Sequence, residues 1–316
     1  MTALARNATL YPAADLLQNP QLQPARVGVI LLAVGFGQRS RNALRWATDL
    51  SRSMGMGLRL VHSAIDRLPI DPLFPLTAEQ QESQRQTWLG ALAEALRDWA
   101  INQGGVEVAP EDIRVRYSKP TQLICEEAAQ PDVRLVILGG LPSTDPQVDA
   151  QPPHGLLRRC PRPMLFIGPK GLNPVVVAAT DCSNPALPVL AEAYRMAGAL
   201  GDQILLVHNI DHYASQFAER IGMPLTPAMA DSVANQTREW LEERVMVGDV
   251  MITRESDNAS GVLGVVRDLH ADLLVVGVKP AEQAQHGTAE RILKAAQRSV
   301  MFVPVMSRSK SLPMHS

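Results

Sequence analysis

The sequence predicts an α/β protein built from two tandem, doubly wound five-stranded parallel sheets with helices on both faces. Three observations lead there. The chain has 316 residues, and at roughly 100–200 residues per domain that favours two domains. Residues Ala33–His62 can be laid without a gap on Ala179–His208, with identities at Ala33/Ala179, Leu44/Leu190, Ala47/Ala193, Gly55/Gly201, Leu60/Leu206, Val61/Val207 and His62/His208. In both copies, short apolar runs without alternation are separated by stretches of helical period. Runs of that kind are strands buried on both faces, and their alternation with helices implies a parallel sheet with covered faces.

The elements follow in chain order. Copy one opens on the apolar run Val27–Val34, copy two on Val175–Ala179. A polar turn and a helix come next. Ala43, Trp46, Ala47, Leu50 and Met54 share one helical face in copy one, and Leu187, Leu190, Ala191 and Tyr194 do so in copy two. Gly55 and Gly201 stand where a left-handed C-cap ends each helix. A second apolar run closes on Leu-Val-His in both copies. A long helical pattern then carries Trp88-Leu89, extended by Leu92, Leu96 and Trp99, and its counterpart carries Trp240-Leu241. An alternating strand follows, Ile113, Val115 and Tyr117 in one copy and Val250 and Ile252 in the other. A short helix near Thr121–Gln130, matched by Gly261–His270, precedes the buried runs Arg134–Gly140 and Asp272–Gly277. A last helix leads into Pro163–Ile167 and Val300–Val305, so each half reads β-α-β-α-β-α-β-α-β. Gly168–Pro174 is a short Gly/Pro linker, and Ile65–Thr77 and the stretch around Gly222–Pro227 read as loops. The expected organisation is a loosely ordered leader over 1–26, a first domain over 27–168, a second over 173–306, and a disordered tail over 307–316.

Composition narrows the function. A hydrophobic share of 46% with 20% charged residues suits a globular chain. A formal net charge of −2 gives no global positive field, which argues against a nucleic-acid partner. No apolar run approaches the roughly 20 residues of a membrane span, so no membrane insertion is expected. Cys125, Cys160 and Cys182 lie far apart without a C-x-x-C pair, which rules against a disulfide framework or a cysteine zinc site and points to the cytoplasm. The sequence has no H-E-x-x-H, no G-x-S-x-G and no G-x4-G-K-[ST]. With no named nucleophile or base, no catalytic residue is assigned, and no metal.

Three segments carry a likeness to a known family. They are Val175–Asn184, a strand ending in Asp followed by a small residue and Ser; Gly261–Gly277; and the paired helix–strand segments Leu156–Pro169 and Ala289–Val305. Taken in order, they resemble the universal stress protein family in its tandem, two-domain form, over nearly all of residues 27–306. The resemblance implies a Rossmann-like strand order of 3-2-1-4-5 in each domain. A ligand crevice then lies between strands one and four, beyond their carboxyl ends. Members that bind ATP carry G-x2-G-x9-G-[ST] after strand four, where bare backbone amides and a helix N-terminus cradle phosphates. The Asp after strand one serves the nucleoside end.

Copy two keeps part of that pattern. Asp181 and Gly277 are present, Pro280 replaces the second glycine and has no N–H to offer, and Gly287-Thr288 can stand for the final pair. That pair lies one residue closer to Val300 than the pattern asks, with His286-Gly287 in the expected slot. Copy one has Gly35 at the Asp position and no glycine between Gly140 and Gly155, so it reads as degenerate. Each candidate keeps two readings. Asp181 either binds a nucleotide or turns the chain before the helix. Gly277 either opens a phosphate cradle or makes a tight turn after a buried strand. Gly287 and Thr288 either approach phosphate or begin a helix, with Thr288 as its cap and Glu290 in its first turn. His62 and His208, repeated at the end of strand two, read as structural. A metal on His208, Asp211 and His212 matches no common spacing. Arg158, Arg159 and Arg162 read as a solvated basic face.

The reading is therefore a stress-response binding or regulatory module, possible ATP binding by its second domain being carried by Asp181, Gly277, Gly287 and Thr288. Two alternatives stand beside it: the same fold without nucleotide as a structural or interaction module, and a weak nucleotide-hydrolysing enzyme. The apolar last strands imply a homodimer or an intramolecular pseudo-dimer.

Overall fold

The computed structural model describes residues 28–64, 77–141, 155–169, 173–180, 187–209, 250–253, 257–278 and 288–305, with isolated positions between 226 and 239. The chain divides into two compact units, with Pro24–Lys170 and Gly171–Ala295 as their main segments.

In the first unit, β1 (Val29–Ala33), β2 (Gly57–Ser63), β3 (Ile113–Arg116), β4 (Val133–Gly139) and β5 (Met164–Ile167) lie in the order β3-β2-β1-β4-β5. Every neighbouring pair is parallel. This is the 3-2-1-4-5 order expected from the sequence. The helices are α1 (Gln38–Met54), α2 (Ala78–Gly104), α3 (Pro120–Ala128) and α4 (Leu156–Arg159). In the second copy of the repeat, β6 (Asn173–Ala179), β7 (Gln203–Asn209), β8 (Val250–Thr253), β9 (Ala271–Val278) and β10 (Ser299–Pro304) are ordered β10-β9-β6-β7-β8. Its helices are α5 (Leu187–Leu200), α6 (Asn258–Asp268) and α7 (Thr288–Ala295).

The repeat seen in the sequence is kept residue by residue. Ala33 lies opposite Val61 and Ala179 opposite Val207. Central strand residues such as Leu31, Leu60, Ile137, Val177 and Leu206 are fully buried. Each such side chain contributes about 1.5–3 kcal/mol by leaving water, which is why the strands read as uninterrupted apolar runs. Gly55 and Gly201 adopt the left-handed conformation, with φ of 63° and 73°.

Several elements differ in detail from the sequence reading. In α5 the buried face runs through Val189, Leu190, Ala193, Tyr194 and Ala197, while Leu187, at the first helical position, is 55% exposed. The buried Tyr194 hydroxyl has no partner among the described residues, and burial pushes its pKa up. Along α2, Leu96 and Ala100 are the buried residues, and Trp88 is half-exposed. Strand β3 ends at Arg116, so Tyr117 falls outside it and carries the Arg85 guanidinium 5.3 Å from its ring centre. The basic cluster is not simply a solvated face, because Arg162 donates to the carbonyls of Ala128 and Gln130 at 3.2 Å each and ties down the end of α3.

The units also differ at one core position. Arg59 of β2 is buried and donates to Asp132 at 2.7 and 3.3 Å and to Asp112 at 3.0 Å. The equivalent residue in β7 is the buried Leu205. A buried guanidinium is tolerable because both carboxylates neutralise it and fill its hydrogen-bonding sites. The Arg59 hydrogen bonds in turn hold the Asp132 carboxyl below its usual range.

Candidate functional site

The carboxyl ends of the central strands are where an open α/β sheet receives a ligand. Both copies build this rim on the same clip. His62 Nδ1 lies 2.8 Å from the Val34 carbonyl, and His208 Nδ1 lies 2.7 Å from the Thr180 carbonyl. A carbonyl only accepts, so Nδ1 carries the proton in each ring and a neutral ring keeps its lone pair on Nε2. The clip holds the first carbonyl beyond strand one, just where the chain leaves the sheet. This is the structural role read from the repeat.

In the first copy, the chain beyond Val34 turns sharply. Gly37 N–H donates to the Gly35 carbonyl at 2.8 Å across Phe36, whose φ is 58°. This is a γ-turn with positive φ at its centre, a rare and strained form. For a bulky residue the left-handed region costs about 1–2 kcal/mol. Gly35 N–H also donates to Ser40 Oγ at 2.8 Å, which fixes the loop to the first turn of α1. The half-buried Phe36 ring meets His62 edge-on at 5.0 Å and Trp99 edge-on at 6.0 Å. Such ring contacts are worth about 0.5–1.5 kcal/mol each, which offsets the backbone strain. The switch point between β1 and β4 is filled as well. A side chain at Gly139 would lie 2.9 Å from the Arg39–Ser40 backbone, and one at Gly140, where φ is 88°, would lie 2.4 Å from Arg39 Cδ. No acidic residue stands where the sequence places the nucleoside-binding carboxylate; the position is Gly35.

The second copy presents polar groups instead. Thr180, His208, Asn209 and Thr253 are all buried at the carboxyl ends of β6, β7 and β8. Asn209 lies opposite Thr253 in the sheet and donates through Nδ2 to Asn258 Oδ1 at 2.7 Å, at the start of α6. The Thr253 hydroxyl is buried without a partner among the described residues. Asp257 caps α6, accepting from Ser260 N–H at 3.0 Å and from its hydroxyl at 2.8 Å, and Arg291 of α7 meets its other oxygen at 2.5 Å. Burial opposes ionisation of Asp257, but the Ser260 hydrogen bonds and Arg291 hold its carboxyl below the usual range.

Of the four candidate nucleotide-binding residues, Gly277 and Thr288 lie among the described residues. Asp181 and Gly287 lie outside them, as do Trp240, Asp211, His212, Cys182 and Pro280. Gly277 sits inside β9 and has no positive φ, so it is a strand glycine and not a turn glycine. A side chain there would meet Val189 Cγ2 and Val305 Cγ1, each at 3.2 Å. Thr288 is itself the first residue of α7, with Glu290 in the first turn, so it is not the cap read from the sequence. No group of three metal-ligating side chains occurs among the described residues. The sequence reading missed Phe36, Asn209, Thr253 and Asn258, and read Trp99 only as part of a helical stripe. Only Phe36 carried a local signal, a bulky residue between two glycines.

Comparison with known proteins agrees with this architecture. The model of the universal stress protein family matches twice, over residues 27–167 and 173–304. No curated protein sequence matches the chain. Among solved structures, a putative universal stress protein from Pseudomonas aeruginosa UCBPP-PA14 is 17% identical with a TM-score of 0.58, covering 91% of this chain and 95% of its own. A universal stress protein from Archaeoglobus fulgidus DSM 4304 is 13% identical with a TM-score of 0.56, covering 89% and 99%. A functionally unknown protein from Pseudomonas aeruginosa PAO1 is 18% identical with a TM-score of 0.58, covering 89% and 93%. At these identities the likeness is one of fold. Two matched copies, each with the 3-2-1-4-5 sheet, mean that the chain belongs to the universal stress protein family and carries its domain in tandem.

Proposed function

We propose that this protein is a ligand-responsive stress module whose second copy binds an adenine nucleotide, ATP being the first candidate. Asp181 serves the base and ribose, and Gly277, Gly287 and Thr288 line the phosphate end. The observation that carries this reading is the buried Thr253 hydroxyl at the end of β8, which has no partner among the described residues. Buried polar groups without partners cost stability unless a ligand or water completes them. Gly277, the next-to-last residue of β9, is exposed and carries no side chain. The first copy acts as the degenerate partner domain. Extraction of ligand from denatured, purified protein tests the reading. Recovered ATP or ADP that Asp181→Ala abolishes supports it, and an empty protein that takes up no heat or nucleotide on ATP addition overturns it.

Pro280 favours one alternative, an interaction module of the same fold, because proline removes an amide from the stretch where a phosphate cradle needs them. Pairing through the last strands, within the chain or between two chains, belongs to either reading. Light scattering distinguishes the two, giving 34.4 kDa or twice that mass. No described helix is long and apolar enough to cross a membrane. Cys125 and Cys160 are free thiols, which supports a reducing, cytoplasmic setting.

A further inference from the structure

We propose that the leader docks through Ala13–Leu17 on the outer ridge of α5 in the second copy, with Asp15 meeting Arg195. The gapless repeat pairs the first helices of the two copies residue by residue. In α1 the outer ridge is Arg41, Arg45, Asp49, Arg52 and Ser53. All five are exposed, the Asp49 and Arg52 side chains to 73% and 74%. From Arg45 onward, the matching residues of α5 are Ala191, Arg195, Gly198 and Ala199. All four are half-buried, and the Arg195 side chain is only 12% exposed. A ridge that carries charge where it meets water is small and largely apolar where it is covered.

The cover comes from outside the described residues. Among the described elements α5 packs mainly on β6, β7 and β9 beneath it, whereas α1 packs on α2 as well and still keeps its ridge open. The covered ridge is also short of a partner. Arg195 donates through Nη2 to Glu192, but its Nε–H is buried with no acceptor among the described residues. A buried guanidinium N–H left without an acceptor costs stability, so the cover has to bring an oxygen to it. Burial raises the Glu192 carboxyl pKa although Arg195 opposes the shift, which marks the pair as desolvated.

The occupant follows from grouping and from charge. Met1–Gln23 belongs to the same compact unit as Gly171–Ala295, and not to that of Pro24–Lys170, which it adjoins in the chain. Asp15 is the one acidic residue of the leader, and it stands between Ala13-Ala14 and Leu16-Leu17. Small and apolar side chains around one carboxylate match a ridge of small side chains around one guanidinium. By composition alone the leader reads as loosely ordered; against this ridge it has apolar surface to bury. The docking depends on neither Asp181 nor a nucleotide, so failure of either proposal leaves the other standing.

Hydrogen–deuterium exchange of the full chain, read by mass spectrometry, tests the docking from both sides. Wild-type amides between Leu10 and Leu17 should exchange at least about tenfold more slowly than unprotected ones. Ala191→Arg with Gly198→Arg gives α5 the arginines that α1 carries at Arg45 and Arg52, and should remove that protection. Leu16→Asp with Leu17→Asp changes only the leader, and should speed exchange within Leu187–Leu200 by about threefold or more. Asp15→Ala should lower the leader's protection, and Asp15→Glu should keep it. Unprotected leader amides in the wild type overturn the proposal. So does protection that survives in a folded Ala191→Arg/Gly198→Arg variant or in Asp15→Ala, and so does unchanged exchange of α5 in Leu16→Asp/Leu17→Asp. Should the α5 variant fail to fold, the two leader variants decide alone. A wild-type dimer in light scattering that a folded α5 variant splits, with the leader unprotected in both, makes a second copy of the chain the occupant and also overturns the proposal.

Discussion

The two copies have the same strand order, the same register within the sheet of each copy and the same histidine clip, and they part company at the carboxyl rim. In the first, Phe36 lies against His62 and Trp99, and the α1 backbone crowds Gly139. In the second, buried Thr180, Asn209 and Thr253 face the same end of the sheet, and side-chain methyls are the nearest neighbours of Gly277. The difference teaches where a duplicated fold is free to change. Strand interiors are held by burial on both faces, so a polar or smaller residue there is costly. The rim makes few of those contacts, so one copy can fill its crevice with its own side chains while the other leaves polar groups around it.

The comparison can be tested where the copies are alike and where they are not. The largest effect is expected from Leu60→Ala and Leu206→Ala, identical and fully buried in the two sheets. Each should cost about 2–5 kcal/mol in urea unfolding followed by circular dichroism. Values more than about 2 kcal/mol apart would show that the two cores are packed differently. Next comes the glycine pair. Gly139→Ala forces a methyl against the Arg39–Ser40 backbone at 2.9 Å and should cost about 1–3 kcal/mol. Gly277→Ala meets only valine methyls at 3.2 Å and should cost less than about 1 kcal/mol in the same experiment. Equal losses would mean the first crevice is no more crowded than the second.

The histidine clips give a smaller effect. His62→Phe and His208→Phe each remove one hydrogen bond to a strand-end carbonyl and should lower stability by about 1 kcal/mol. If only one substitution is felt in thermal unfolding, the clip is not a shared device. The smallest effect concerns pH. The Asp132 carboxyl, held low by its Arg59 hydrogen bonds, contributes stability that is present above its unfolded pKa, near 4, and fades as pH falls through its lower folded value. Arg59→Leu copies the second unit's Leu205 and removes that contribution. The variant should therefore lose less stability than wild type between about pH 4.5 and 2.5 in pH-dependent thermal melts. An unchanged slope would place the acid sensitivity elsewhere.

Much of the fold was legible because its signals are local or periodic. The repeat of Leu-Val-His, the glycine C-caps and the unalternating apolar runs gave strands, helices and duplication directly. Helix faces were read less well. Leu187 is apolar and in phase with Leu190 and Tyr194, yet it sits at the first position of α5 and stays exposed. Trp88 is a large apolar residue on a helix whose first half covers no core. The rim was the least legible part. Asn209, Thr253 and Asn258 come from three different elements and meet only when β7, β8 and α6 are assembled. Arg59 reads as a charge inside a strand until Asp112 and Asp132 are brought beside it.

The sequence alone determined the α/β class, the tandem repeat and the places of the buried strands, because burial on both faces of a parallel sheet writes itself as continuous apolar residues at fixed spacing. The tertiary structure alone decided which crevice is closed. Whether Phe36 points to solvent or lies between His62 and Trp99 depends on one backbone angle and on rings distant in the chain, and no periodic pattern records either.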